Sequence, residues 1–163
     1  MLGTLSMSAL TFFFWTDCTR FEQTFRDFCC SLSCAHADSA FVIDDTVPND
    51  VYSALPDETD TRRFRRETGS SNTAWHGDVF KIVFAVHDFF QNLSYCTINT
   101  GGNPQTLVWR RQRHEFNPKF SSLEAISRLS YFDLRKNLNI MRMCDESSGI
   151  ETLISSLKRP HPS

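Results

Sequence analysis

Apolar residues recur along the chain at two different periods, and the places where the period changes divide it. Phe21, Phe25, Phe28 and Leu32 sit at helical spacing behind Thr19-Arg20-Phe21-Glu22, which has the form of a capping box, so an amphipathic helix is expected over 20–34. From Trp75 onward, Val79-Phe80-Lys81-Ile82-Val83-Phe84-Ala85-Val86 is rich in β-branched and aromatic residues and reads as a strand, although apolar positions 75, 79, 82, 83, 86, 90 and 93 also trace a helix. Leu93 to Asn99 and Gln105 to Gln112 are strand-like and flank Thr100-Gly101-Gly102-Asn103-Pro104, a turn cluster that closes a hairpin. Ser121-Ser122-Leu123-Glu124 and Ser148-Gly149-Ile150-Glu151 are two further capping boxes. The first opens a short helix with Leu123, Ile126 and Leu129. The second opens a helix with Leu153, Ile154 and Leu157, followed by Lys158 and Arg159 at its negative end and Pro160 as a stop. Residues 132 to 143 fit neither period.

These elements predict an α+β fold in three parts: an N-terminal helical segment over 1–37, a connector over 38–72, and a small domain over 73–159. In the last part a three-stranded antiparallel sheet has one apolar face, and two or three C-terminal helices are its cover. The connector is set apart by charge. Asp38 to Asp60 carries seven acids and no base, and Arg62, Arg63, Arg65 and Arg66 follow at once. A block of like charge with scattered apolar residues cannot bury enough surface to offset its ordering entropy, so this stretch is expected to be disordered and exposed.

The net charge of −2 excludes a molecule that binds nucleic acid by overall electrostatics, and it leaves 67–163 slightly basic, with eleven cations against nine acids. Six cysteines form an even count, but Cys18, Cys29, Cys30 and Cys34 crowd together while Cys96 and Cys144 lie far off, which favours reduced thiols over a disulfide scaffold. The apolar run Leu5 to Trp15 has the length of a signal-peptide core but no basic flank, and it is too short to span a bilayer. The chain therefore reads as intracellular.

Within the connector, Phe41-Val42-Ile43-Asp44-Asp45 is an apolar triplet with an acidic flank, able to add as a strand to the sheet edge of another protein. Over these five residues it resembles the SUMO-interacting motif, and that resemblance implies a partner protein with a basic rim around the docking edge. Arg63-Phe64-Arg65-Arg66 fits both a nuclear-import signal and the pattern cut by furin-like convertases, each of which is read on an extended chain. In the secreted alternative the chain is a proprotein cleaved after Arg66, and the Asn92-Leu93-Ser94 sequon would then be open to glycosylation.

The densest basic patch of the folded part is Arg110, Arg111 and Arg113, with His114 beside them, Lys119 beyond, and Tyr95 and Trp109 on the paired strands. Cations interleaved with aromatics on a sheet can hold single-stranded nucleic acid, phosphates on the cations and bases on the rings. Strand alternation places Trp109 and Arg111 on one face and Arg110 on the other, which splits the patch. The competing reading is an edge strand whose arginines deter edge-to-edge pairing.

Metal and catalytic chemistry are weakly marked. Cys29, Cys30, Cys34 and His36 supply soft ligands at a spacing unlike the recurrent zinc patterns, and no metal or cofactor is expected. His76 with Asp78, His87 with Asp88, and Cys96 or Cys144 as nucleophile are the candidate catalytic groups. On a strand His87 and Asp88 would point to opposite faces and could not orient each other. The function expected from sequence is therefore a non-enzymatic interaction or adaptor protein that docks another protein through the connector, with a nucleic-acid-binding module as the alternative.

Overall fold

A computed structural model of the chain describes residues 20–99 and 103–158, together with the backbone of Phe12–Trp15. Among the described residues five strands form one sheet: β1 (Phe12–Trp15), β2 (Ala40–Ile43), β3 (Leu93–Ile98), β4 (Gln105–Arg110) and β5 (Met143–Cys144), in the order β1-β2-β4-β3-β5. The β3–β4 hairpin is antiparallel, as expected, with Leu93 opposite Arg110 and Ile98 opposite Gln105. Gly101 and Gly102 of its turn lie outside the described residues.

The α+β class stands, while the expected three-stranded sheet is corrected in two ways. The strand expected at Val79–Val86 is part of helix α3 (Lys81–Phe89) and the turn leading into it. The segment expected to be a disordered connector instead supplies β2 and a helix, α2 (Glu58–Thr68). Strand β2 lies between β1, parallel to it, and β4, antiparallel to it. Its four residues are all buried, because helices cover the sheet on both faces.

Alternation sorts the strands between two layers. Phe41, Ile43, Leu93, Tyr95 and Val108 face the larger core, which they share with α1 (Phe21–Cys34), α3, α4 (Leu123–Ser127) and α5 (Tyr131–Lys136). Ala40, Val42, Cys96, Leu107 and Trp109 face Leu153 of α6 (Glu146–Leu157). The sheet thus has two apolar faces where one was expected. Phe28 marks the centre of the larger layer, its ring edge-on to Phe41 at 5.4 Å and to Phe90 at 5.8 Å. Complete burial of such a ring contributes about 1.5–3 kcal/mol.

Helix α3 explains the failed period. Ile82, Val83, Phe84, Ala85 and Val86 are all buried, since the helix has the sheet on one side and α1, α4 and the 3-10 turn Leu138–Met141 on the others. With Phe84 and Ala85 buried as well, the helical trace at 79, 82, 83, 86 and 90 is blurred into an apolar run, and a short apolar run also fits a strand.

The helix starts are also shifted from their expected positions. Thr19 lies outside the described residues, and the α1 N-cap is Arg20, with the Phe21 N–H donating to Asp78 Oδ1 at 2.7 Å. Helix α4 is capped by Ser122 rather than Ser121, α6 by Asp145 rather than Ser148, and α5, which had no expected counterpart, by a Ser130/Asp133 capping box. Arg159 and Pro160 lie outside the described residues. No helix among the described residues is long and apolar enough to cross a membrane.

Candidate functional site

Side chains expected to dock partners are largely drawn into the fold. Phe41, Val42 and Ile43 are buried, and the carboxylates of Asp44 and Asp45 both accept from Asn103 Nδ2. The basic run is helical, not extended: Arg62 pairs with Glu58, Arg63 with Asp60, and Arg66 is exposed. Arg65 is only 4% exposed; it donates to both oxygens of Asp50, at 3.1 and 3.2 Å, and to the Asn72 carbonyl.

The patch after β4 has a common architecture. Arg110 donates to the carbonyls of Leu32, at the end of α1, and of Ala35, which follows it. Arg111, on the other face, donates to Ser156 near the end of α6. Arg113, 4% exposed, donates to Val86, His87 and Phe90 at the end of α3 and to Leu93 at the start of β3. Three neighbouring arginines thus satisfy the terminal carbonyls of three helices, where the macrodipole carries about −0.5 charge. Arg113 also lies over the rings of Tyr95 and Phe116, at 5.3 and 5.5 Å. Burial pulls its guanidinium below its ordinary value, the charge of Arg142 adds to that, and the fields of Tyr95 and Asp88 oppose it. Trp109 and Tyr95 are each 2% exposed, and the Tyr95 hydroxyl donates to the Ile140 carbonyl. Burial is the main reason the Tyr95 phenol is pushed up to about 12.

The candidate catalytic groups are redistributed. His76 Nε2 lies 3.8 Å from Asp45 Oδ1, and Asp78 belongs to Lys81 instead, whose ammonium also donates to the Ser127 carbonyl. Burial, and after it the neighbouring Cys144, raises the Cys96 thiol to about 12, which disfavours the thiolate a nucleophile needs. Among the described residues, no three His, Cys, Asp or Glu side chains gather where a metal could be held, Cys29, Cys30, Cys34 and His36 included.

His87 and Asp88 do meet, contrary to the strand-based expectation. Successive helical side chains are only about 100° apart, and His87 Nδ1 lies 2.5 Å from Asp88 Oδ1. A carboxylate only accepts, so Nδ1 is the donor. Asp88 Oδ2 accepts the backbone N–H groups of Lys119, at 3.0 Å, and Phe120, at 2.5 Å. One buried carboxylate therefore fixes both the imidazole and the loop that carries Lys119.

His87 and Lys119 open onto a pocket of ≈ 440 Å³ that Glu115, Asn139 and Arg142 also line. Glu115 and Arg142 continue into a second hollow bordered by Arg111, Arg113 and His114, so the two form one groove. Arg142 has φ 49 in the left-handed region, a conformation that costs a non-glycine residue about 1–2 kcal/mol, and its guanidinium lies 5.1 Å from the Tyr95 ring centre. Neither Arg142 nor Lys119 meets a carboxylate in an ion pair among the described residues. Sequence reasoning missed Glu115, Asn139 and Arg142. Asn139 and Arg142 lie in the stretch 132–143 that fitted neither period, and Glu115 left no trace, since the groove is assembled from α3, the 111–122 loop and the approach to β5. The chain matches no family model, no curated protein and no solved structure.

Proposed function

We propose that the protein is a non-enzymatic interaction protein that binds an acidic segment of another protein along the groove beside Arg111, His114, Lys119 and Arg142. The observation that carries this reading is the sign of the groove: its lining includes His87, Arg111, Arg113, His114, Lys119 and Arg142 against one acid, Glu115. Such asymmetry attracts an oppositely charged partner and raises its association rate. Base stacking gives about 1–3 kcal/mol per base in single-strand binding, and the rings expected to supply it, Tyr95 and Trp109, are buried. An acidic peptide needs no such platform.

Fluorescence anisotropy with a labelled polyglutamate peptide tests the reading, with an oligothymidylate strand as comparison. The peptide should bind with an affinity that falls as salt rises, and the double variant Lys119→Glu, Arg142→Glu should weaken it by at least about tenfold. Equal binding by parent and double variant would defeat the proposal, and so would tighter binding of the oligonucleotide.

A further inference from the structure

We infer that the His87 end of the groove is a phosphoryl site, and that the acidic partner carries a phosphorylated serine or threonine there; this rests on the partner reading above. Three elements each contribute one nitrogen-bearing side chain to a single pocket of ≈ 440 Å³: His87 from α3, Lys119 from the loop after β4, and Arg142 from the approach to β5. Each is held from behind. Asp88, whose side chain is wholly buried, takes the Nδ1 proton of His87 and leaves Nε2 with no protein partner among the described residues. The same carboxylate anchors the backbone of Lys119, and the Lys119 ammonium uses one of its three donors on Asn137 Oδ1. The left-handed backbone of Arg142 and the stacking on Tyr95 fix where its planar guanidinium begins.

The donor set fits a phosphate monoester better than a carboxylate. A monoester brings about −1.5 to −2 charge and three acceptor oxygens, enough to engage an ammonium, a guanidinium fork and the Nε2–H of an imidazolium together; with Nδ1–H given to Asp88, Nε2 donates only in the doubly protonated ring. A carboxylate has two oxygens and one charge. A nucleic-acid phosphodiester likewise offers one charge and two free oxygens, and it would bring bases for which the groove lining holds no Phe, Tyr or Trp ring.

The test is calorimetric titration of the full chain with one acidic peptide made in three forms, bearing serine, phosphoserine or glutamate at its centre. Inorganic phosphate and an oligothymidylate serve as competitors. The phosphoserine form should bind at least about tenfold tighter than the serine form, the glutamate form should fall between them, and inorganic phosphate should compete. Arg142→Gly is the informative variant, because glycine adopts the observed φ freely: it should keep the thermal midpoint and lose the phosphoserine preference. Lys119→Ala should lose it as well.

Equal binding of the serine and phosphoserine forms would overturn the phosphoryl site and leave the acidic-partner reading standing. Failure of all three peptides would overturn both. Binding of inorganic phosphate without any gain for the phosphopeptide would make this a free-phosphate pocket and overturn the partner assignment. Competition by the oligothymidylate, lost in the same two variants, would overturn it in favour of nucleic acid.

Discussion

Arg65 and Arg66 are adjacent, yet Arg65 is buried against Asp50 and Asn72 while Arg66 is exposed. On an extended, exposed chain, replacing Arg63, Arg65 and Arg66 would leave stability unchanged; the helix instead buries Arg65. Arg65→Ala should cost about 2–3 kcal/mol, because it removes charge-assisted bonds from partly buried acceptors, whereas Arg66→Ala should stay within about 0.5 kcal/mol. Urea unfolding of the two single variants measures the difference. Burial acts to raise the Asp50 carboxyl, but the Ser53 N–H, the Arg65 charge and Asn72 outweigh it and hold it below its usual value. Its contribution to stability is then fully present above the unfolded carboxylate value near ~3.9 and is lost as pH falls through the lower folded value. Asp50→Asn should flatten that acid limb when unfolding midpoints are compared from pH 6 down to pH ~2.

At the level of elements, the charge reversal that reads as disorder turns out to be the polarity of one helix. Asp57 caps α2 by accepting the Thr59 N–H at 2.8 Å, Glu58 and Asp60 lie in its first turn, and Arg65 and Arg66 in its last, before Gly69 at φ 67. Acids at the positive end and cations at the negative end stabilise such a helix, and the Glu58–Arg62 pair adds about 0.3–0.5 kcal/mol. The arginines after β4 apply the same rule between elements. Arg113→Ala should destabilise by roughly 3 kcal/mol, since the carbonyls of Val86, His87, Phe90 and Leu93 lose a shared charged donor in a buried place. Arg113→Lys should recover less than half of that, because a compact ammonium cannot span four carbonyls. Chemical denaturation of both variants distinguishes a fork-specific role from a role of charge alone.

For the whole molecule, the cysteines report how the two layers enclose the sheet. Cys30 and Cys34 are exposed on α1, Cys29 is half-buried, and Cys96 is buried under α6. Burial, then the neighbouring Cys30, raises the Cys29 thiol, and burial takes Cys96 to about 12. Since the thiolate is the reacting form and the side chain is buried, native Cys96 should react with a thiol probe more slowly than the exposed thiols. Timed alkylation with mass mapping should find Cys30 and Cys34 labelled first, Cys29 later, and Cys96 last. Early labelling of Cys96 would mean that α6 does not cover that face in solution.

The elements whose signals are local were legible from the residues alone: the α1 stripe of Phe21, Phe25 and Phe28, the β3–β4 hairpin, and the existence of α4 and α6. Each depends on spacing or turn chemistry within a few positions, and errors fell at element ends: the helix caps, and the hairpin strands, which stop at Ile98 and Arg110 short of Asn99 and Gln112. Tertiary structure alone decided the rest. Phe41 pairs across the sheet with Val108, a partner far along the chain, so no local pattern could mark Phe41-Val42-Ile43 as a central strand. The helical trace through 79, 82, 83, 86 and 90 stood beside the strand reading, and only the neighbours that enclose α3 decided for it. The aim of Arg110, Arg111 and Arg113 depends on where three helices end, and the groove of His87, Lys119 and Arg142 depends on how three distant segments converge. Sequence sets periods and charges, but which face or helix end each side chain meets is settled only when contacts remote in the chain close.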